Sequence, residues 1–521
     1  MNAPLLSLIT FLPLAGAIVL IFIPKEERRR LFIAAIAFAV AAFVLSLVLA
    51  VRFDGNEAGP QFVENRPWLG YGIHYHLGID GISLYLVLLT AFLAPLVLLA
   101  SRTSIRDRFK EYLLFMLILE TGMIGVFLSL NLFLFYVFWE AALIPMYFLI
   151  GIFGGKRRVY ATTKFVLYTM AGSLLMLVGI FVLQGTYARL SGSYSLDIFD
   201  LSRMVLSNST QTWLFLAFGL AFAIKVPLFP FHTWLPDAHV EAPTGASVLL
   251  AAVLLKMGAY GFIRIGFPLF PDAVKRFAPG LAVLAVIGIV YGGFMALVQK
   301  DVKSLVAYSS VSHMGLVLLA VAAWNTISLQ GAILQMINHG LSTGMLFFAV
   351  GVLYERTHTR MISDFGGVGR KMPVFAALFL AAVLSSLGLP GLNGFAGEIL
   401  CFAGIFAAHK IWAVLAVTTV ILAAAYLLGM YRKVFHGPVT NDRVAALRDI
   451  GGRELLIFIP IILLMFWIGL FPGTFLKKTE ATVSRYAATV QSRRAEHVRT
   501  NRPRLVSEVT PELEAGTGET R

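Results

Sequence analysis

Apolar runs of about twenty residues recur along nearly the whole of this chain, and no other feature limits its fold so tightly. Inside hydrocarbon every backbone N–H and C=O must find a partner within the protein, so runs of this length fold as membrane-spanning helices. Fourteen are expected, at about 5–23, 31–51, 82–100, 113–130, 132–153, 165–187, 213–230, 245–263, 279–298, 305–323, 329–353, 373–408, 411–431 and 455–473. The 521 residues are 58% hydrophobic and 13% charged, with mean hydropathy +0.82. Those values exclude a soluble domain and leave an all-α polytopic membrane protein. Residues 5–23 lack a basic leader and a small-residue cleavage site, so they read as a retained first span rather than a signal peptide.

Two of the spans are interrupted. The seventh, FAIKVPLFPFHTWLP, carries Pro227, Pro230 and Pro236. The twelfth is too long for one straight crossing and contains LGLPGLNGFAGE, with Pro390, Gly391, Gly394 and Gly397. Each reads as two half-helices joined by a break. The breaks lie five spans apart, so spans 4–8 and 9–13 form two five-helix units, each with its fourth helix broken. An odd number of crossings inverts the second unit relative to the first. Paired broken helices at matching positions are the sequence pointer to a transport site. The chain then divides into spans 1–3 (1–111), a first repeat (112–265), an inverted second repeat (279–433), a last span (454–473) and a polar tail (474–521).

Charge sets the orientation. Loops after odd-numbered spans hold 23 Lys and Arg, and those on the other side hold 8. The positive-inside rule places the 24–30 loop in the cytoplasm and both termini on the outer side of the membrane. The tail adds 9 basic residues against this trend, although long late segments weigh little in topology. It runs basic from Lys477 to Arg504 and acidic from Glu508 to Glu519, and reads as a surface amphipathic stretch ending in disorder. The net charge of +14 lies mostly in loops between spans and does not point to nucleic acid. One cysteine, Cys401, excludes a disulfide framework and a cysteine-ligated zinc or iron–sulfur site. With no dinucleotide fingerprint and no P-loop, any electron or nucleotide chemistry that is involved would belong to another chain.

Ionisable residues inside the spans carry the functional signal. A charge at the centre of a spanning helix costs roughly 3 kcal/mol, so such residues mark pathways or pair with one another. Lys225 precedes Pro227, which frees a backbone carbonyl and makes room for water. Lys256 lies in ASVLLAAVLLKMGAYGFI, too deep to reach the interface by snorkelling. Glu140 is mid-span in NLFLFYVFWEAALIPMYFLI, where it either pairs with a lysine or stays protonated against a neighbouring helix. Glu398 follows the twelfth-span break, as a pathway carboxylate or a cap on the second half-helix. His339, in QMINHGLST, and His313, in AYSSVSHMG, are flanked by hydroxyls and titrate in a range suited to carrying protons. His313 also fits a packing role. Glu120 is a further buried carboxyl or a helix–helix hydrogen bond. No metal-ligand spacing joins these groups.

The stretch KVPLFPFHTWLPDAHVEAPTGASVLLAAVLLKMGAYG, Lys225 to Gly261, closely resembles the antiporter-like subunits of respiratory complex I, NADH:quinone oxidoreductase. WLPDAHVEAP followed by LLKMGAYG looks like the subunit M (NADH dehydrogenase subunit 4) branch of that group. FWEAALIPMY, VAYSSVSHMG, INHGLSTG and LPGLNGFAGE support it, and the resemblance covers about 80–435. It implies a proton-translocating subunit in which Lys225 pairs with Glu140, Lys256 passes a proton toward His339, and Glu398 is the way out. It also implies FMN, iron–sulfur clusters and a quinone site in partner subunits, none in this chain, with antiporter-like neighbours on both sides in the bilayer. A subunit of a multi-subunit cation/proton antiporter or membrane-bound hydrogenase is the nearest alternative. A stand-alone transporter would instead need a solute pocket at the breaks.

Overall fold

In the computed structural model, which describes residues 4–439, 441–497 and 504–505, twelve helices are long and apolar enough to cross a membrane. The protein is an almost wholly helical polytopic bundle. The expected seventh and twelfth crossings are each built from two shorter helices, Asn208–Lys225 with Trp234–Glu241, and Pro373–Ser386 with Asn393–Ala408.

Local chemistry explains where these helices start and stop. Asn131 and Asp301 each accept two backbone N–H groups of the turn that follows, and Asn325 forms a capping box with Ser328. At the seventh crossing Pro227 has no N–H, so the carbonyl of Ala223 takes Leu228 N–H instead, at 2.8 Å. The carbonyl of Ile224 is satisfied across the break by the Trp234 indole N–H, at 2.9 Å. Pro236 does not interrupt anything: it sits in the first turn of Trp234–Glu241, where a missing N–H is harmless. At the twelfth crossing the turn needs left-handed backbone at Gly388 (φ +75°) and Gly391 (φ +90°). Gly394, at the start of the second half-helix, lets the two halves close on each other at the break, since a Cβ there would meet Ser385 O, whereas Gly397 lies a turn further in and makes room for Gln335 of another helix.

The C-terminal end of the seventh crossing shows how completely a buried helix terminus is satisfied. Four successive carbonyls receive donors from four other segments. His239 O takes Ser247 Oγ at 3.2 Å, Val240 O takes Arg360 Nη1 at 2.6 Å, Glu241 O takes Gly155 N–H at 3.0 Å, and Ala242 O takes Lys303 Nζ. Two of these donors are cations at the negative end of a helix.

Two short two-stranded sheets, which the all-α expectation leaves out, accompany the helices, and in one of them Met204–Val205 pairs with Arg504–Leu505. Gln61–Gly70 and Ile73–Ile79 pair as an antiparallel hairpin after the second helix. Its Glu64 accepts the N–H groups of Leu6 (2.8 Å) and Ser7 (3.2 Å) at the start of the first helix. The tail also differs in part from expectation. Gly473–His497 is a helix, but it is docked rather than lying free on the surface: Val483, Ala487 and Val490 are buried, and Thr482 Oγ1 accepts Gly81 N–H at 3.1 Å. Lys478 reaches the carbonyl of Ala50. The first helix, the hairpin and the tail helix therefore share one end of the bundle. The disorder expected for the last stretch falls outside the described residues.

Glycines set the closest helix contacts. A Cβ on Gly331 would stand 2.5 Å from Cys401 N, and one on Gly404 2.4 Å from Ser328 N, so Thr326–Thr357 and Asn393–Ala408 touch backbone to backbone. We expect Gly331→Val to destabilise the protein by about 1–3 kcal/mol through forced overpacking. Gly429→Ala, inside the helix Thr418–Phe435 where nothing lies within 4 Å, should instead stabilise it by about 0.5–1 kcal/mol, because alanine loses less backbone entropy in a helix. Thermal unfolding of the two variants in detergent checks this.

Candidate functional site

The helix that carries Lys256, Thr244–Leu269, is buried from Gly245 onward. It widens into π-type turns on either side of the lysine, at Leu250–Leu254 and Phe262–Gly266. Such turns leave carbonyls poorly engaged and recur at functional positions. Lys256 uses one of them: its Nζ donates to Ala251 O and lies 2.7 Å from His339 Nδ1. An ammonium has protons to give and no lone pair, so this contact requires an unprotonated His339 Nδ1 whenever Lys256 is charged.

From His339 the polar groups continue in a row. The His339 and His313 ring centroids are 5.9 Å apart. His313 Nδ1 is 3.7 Å from Glu398 Oε1, and its Nε2 is 3.3 Å from Tyr426 Oη. Lys256, His339, His313 and Glu398 come from four different helices and are at most 3% exposed. Glu398 does not cap the half-helix that follows the break. It lies a turn and a half inside it, folds back over Gly388, where a Cβ would stand 2.3 Å from its Oε2, and takes Gln335 Nε2 at 3.4 Å.

A clasp of amides holds this end of the row, and sequence reasoning missed it. Asn338 Nδ2 donates to Asn393 O at 2.6 Å, Asn393 Nδ2 donates back to Asn338 O at 3.3 Å, and Ser385 Oγ donates to Asn393 Oδ1 at 2.5 Å. Gly397 lets Gln335 approach, since a Cβ there would be 2.3 Å from Gln335 Oε1. The spacing of Gln335, Asn338 and His339 at i, i+3 and i+4 on one helical face was the available signal. Tyr426 had none, because a lone tyrosine in an apolar span looks like core.

The other half of the site is less closely joined. Lys225 is the last residue of its helix, 2% exposed, with its Nζ 5.1 Å from the centre of the Trp139 indole. Glu140, the next residue along, is half-buried. The expected Lys225–Glu140 ion pair is open: neither Lys225 Nζ nor Glu140 Oε1 has a hydrogen-bond partner among the described residues. The backbones of the two lysine helices meet at Gly258, where a Cβ would be 2.6 Å from Phe222 O, yet no side-chain contact among the described residues joins Lys225 to Lys256. Glu120 is fully buried, its carboxyl oxygens without hydrogen-bond partners among the described residues, and it lies outside the row.

Comparison with known proteins gives this arrangement its family. Residues 129–423 match the family described as NADH:quinone oxidoreductase/Mrp antiporter, TM, and residues 8–135 match NADH-ubiquinone oxidoreductase chain 4, amino terminus. The chain is 46% identical over 485 residues to NADH-quinone oxidoreductase subunit M of Rhodobacter capsulatus, covering 90% of this chain and 93% of that one. Its fold matches a chain of respiratory complex I from Thermus thermophilus with bound NADH at TM-score 0.85 and 33% identity, covering 93% and 99%. A chain of the Mrp complex from a Dietzia species shares the fold at TM-score 0.81 with 20% identity, covering 94% and 100%. The chain thus belongs to the membrane-subunit family of NADH:quinone oxidoreductase, beside the proteins named subunit M and chain 4.

Proposed function

We propose that this chain is a proton-translocating membrane-arm subunit of NADH:quinone oxidoreductase, and that Lys225, Lys256, His339, His313 and Glu398 carry the proton in that order. The observation that carries this reading is the buried row from Lys256 through His339 and His313 to Glu398. Lysine, imidazole and carboxyl can each hold or yield a proton, and spacings of this size need at most a water between neighbours. Placement in the core of a helix bundle prevents leakage to lipid.

Glu140 acts as the switch. With the Glu140–Lys225 pair closed, opposite charges about 4 Å apart attract by roughly 4 kcal/mol at an effective dielectric of ~20. Opening it withdraws that stabilisation from the Lys225 ammonium and drives its proton toward Lys256. The half-buried position of Glu140 leaves it able to respond to a neighbouring subunit. Redox work belongs to partner subunits that hold FMN, iron–sulfur clusters and quinone, and this chain shares in the enzyme as its translocating part. Antiporter-like subunits flank it on both sides in the bacterial cytoplasmic membrane. Both termini face the periplasm, in line with the loop charges and the shared position of the first helix and tail helix. Two inverted five-helix repeats account for the pair of broken crossings. Likeness to the Mrp chain at 20% identity concerns the fold alone.

Two measurements test this. In membranes carrying the assembled complex, Lys225→Ala should abolish both NADH-to-quinone electron transfer and proton uptake into inverted vesicles. Normal rates of both would reduce Lys225 to a structural lysine. His313→Ala should lower proton uptake by about tenfold or more, because it removes the link between His339 and Glu398. An unchanged rate would take His313 out of the path.

A further inference from the structure

The outer end of the Lys256 helix carries a charge that the relay does not use. Arg264 is 1% exposed and meets Asp80 in a two-pronged pair, Nη1 to Oδ2 at 2.5 Å and Nη2 to Oδ1 at 2.6 Å. Its Nε donates to Tyr260 Oη at 3.0 Å, and Tyr260 in turn donates to the carbonyl of Phe127 at 3.0 Å. Arg264 Nη1 also donates to Tyr486 Oη, which comes from the docked tail helix. Asp80 is itself immobilised: its Oδ1 accepts Ile82 N–H at 3.0 Å and Ser83 N–H at 3.3 Å, at the start of the helix Leu84–Ser104. The cluster thus ties the end of the hairpin, the third helix and the tail to one arginine.

Its position gives it leverage on the relay. Residues 256, 260 and 264 are four apart, on one face of one helix. Arg264 lies within the second π-type turn, and the first supplies the carbonyl that Lys256 holds. A π-type turn is one residue inserted into a helix, and helical hydrogen bonding alone gives its place along the helix little preference. Side-chain anchors decide it. A slip of one residue translates the helix by about 1.5 Å and rotates it by about 100°. That would carry Lys256 Nζ away from His339 Nδ1. A buried ion pair adds little stability over well-packed apolar residues, and fixing register is its best-attested use.

We propose that Arg264 is a positioning residue: held by Asp80 and Tyr486, it fixes the register of this helix and keeps Lys256 within hydrogen-bond reach of His339. The proposal rests on the relay reading above. It also makes the tail helix, through Tyr486, a working part of the proton path.

The test uses the intact complex in native membranes, with rates normalised to complex present on a native gel. Arg264→Gln should lower kcat for quinone reduction and the rate of proton uptake by about tenfold to a hundredfold, with KM for quinone unchanged. Tyr486→Phe should lower both about two- to threefold in the same pattern. A merely structural role would reduce the amount of complex and leave kcat per complex intact. Normal kcat in assembled Arg264→Gln would overturn the proposal. Where that variant does not assemble, normal kcat in Tyr486→Phe would overturn it. Lys256→Ala measured in parallel separates the two ideas. If it is active, the relay reading fails and takes the positioning role with it. If it is inactive while both clamp variants are normal, only the positioning role falls.

Discussion

A bilayer offers a charged side chain nothing to solvate it, and the interior of this protein is organised around that lack. Each buried ionisable group in the row is met by a polar group from another helix: Lys256 by His339, His313 by Glu398 and Tyr426, Glu398 by Gln335. No single helix could provide this. The contact of Lys256 with His339 is the pivot, because it joins the crossing after the first broken one, Thr244–Leu269, to the crossing before the second, Thr326–Thr357. Packing, breaks and caps all serve to bring those two side chains to 2.7 Å.

The breaks and the glycines work as a pair. Broken helices bring irregular backbone to membrane depth, which is tolerated only where protein satisfies it. Trp234 closes one break through the Ile224 carbonyl, and the Asn338–Asn393 clasp with Ser385 closes the other. Glycines then let helix backbones approach closely enough for short side chains to reach across. Small residues fill this role widely in membrane helices, where apolar burial gives no drive for association. The result is closely packed where the proton groups touch and open at Lys225 and Glu140, where the ion pair is unmade.

The two ends of the bundle differ in kind. At one, backbone carbonyls of the seventh crossing are gathered by Lys303, Arg360, Ser247 and Gly155. At the other, a side-chain pair, Asp80 with Arg264, is buried beneath the tail helix. Removing one member of such a pair strands its partner's charge and costs about 3–5 kcal/mol, although the pair as a whole contributes little. Its use is therefore in placement rather than in stability.

Most of the architecture was legible in the sequence, because hydrocarbon admits so few solutions that apolar run length alone locates the helices. Proline and glycine clusters located both interruptions, and the rarity of intramembrane charge singled out Lys225, Lys256, Glu398 and the two histidines. What the chain could not show by itself was distance. That Gly397 makes room for Gln335, and that the tail helix docks through Tyr486, both depend on contacts between segments far apart in the chain. So does the order of the row: His313, ambiguous as a lone histidine among hydroxyls, lies between His339 and Glu398 only once four helices have packed. Run length and breakers act locally and are written in sequence. The meeting of charges is long-range, and only tertiary packing decides it.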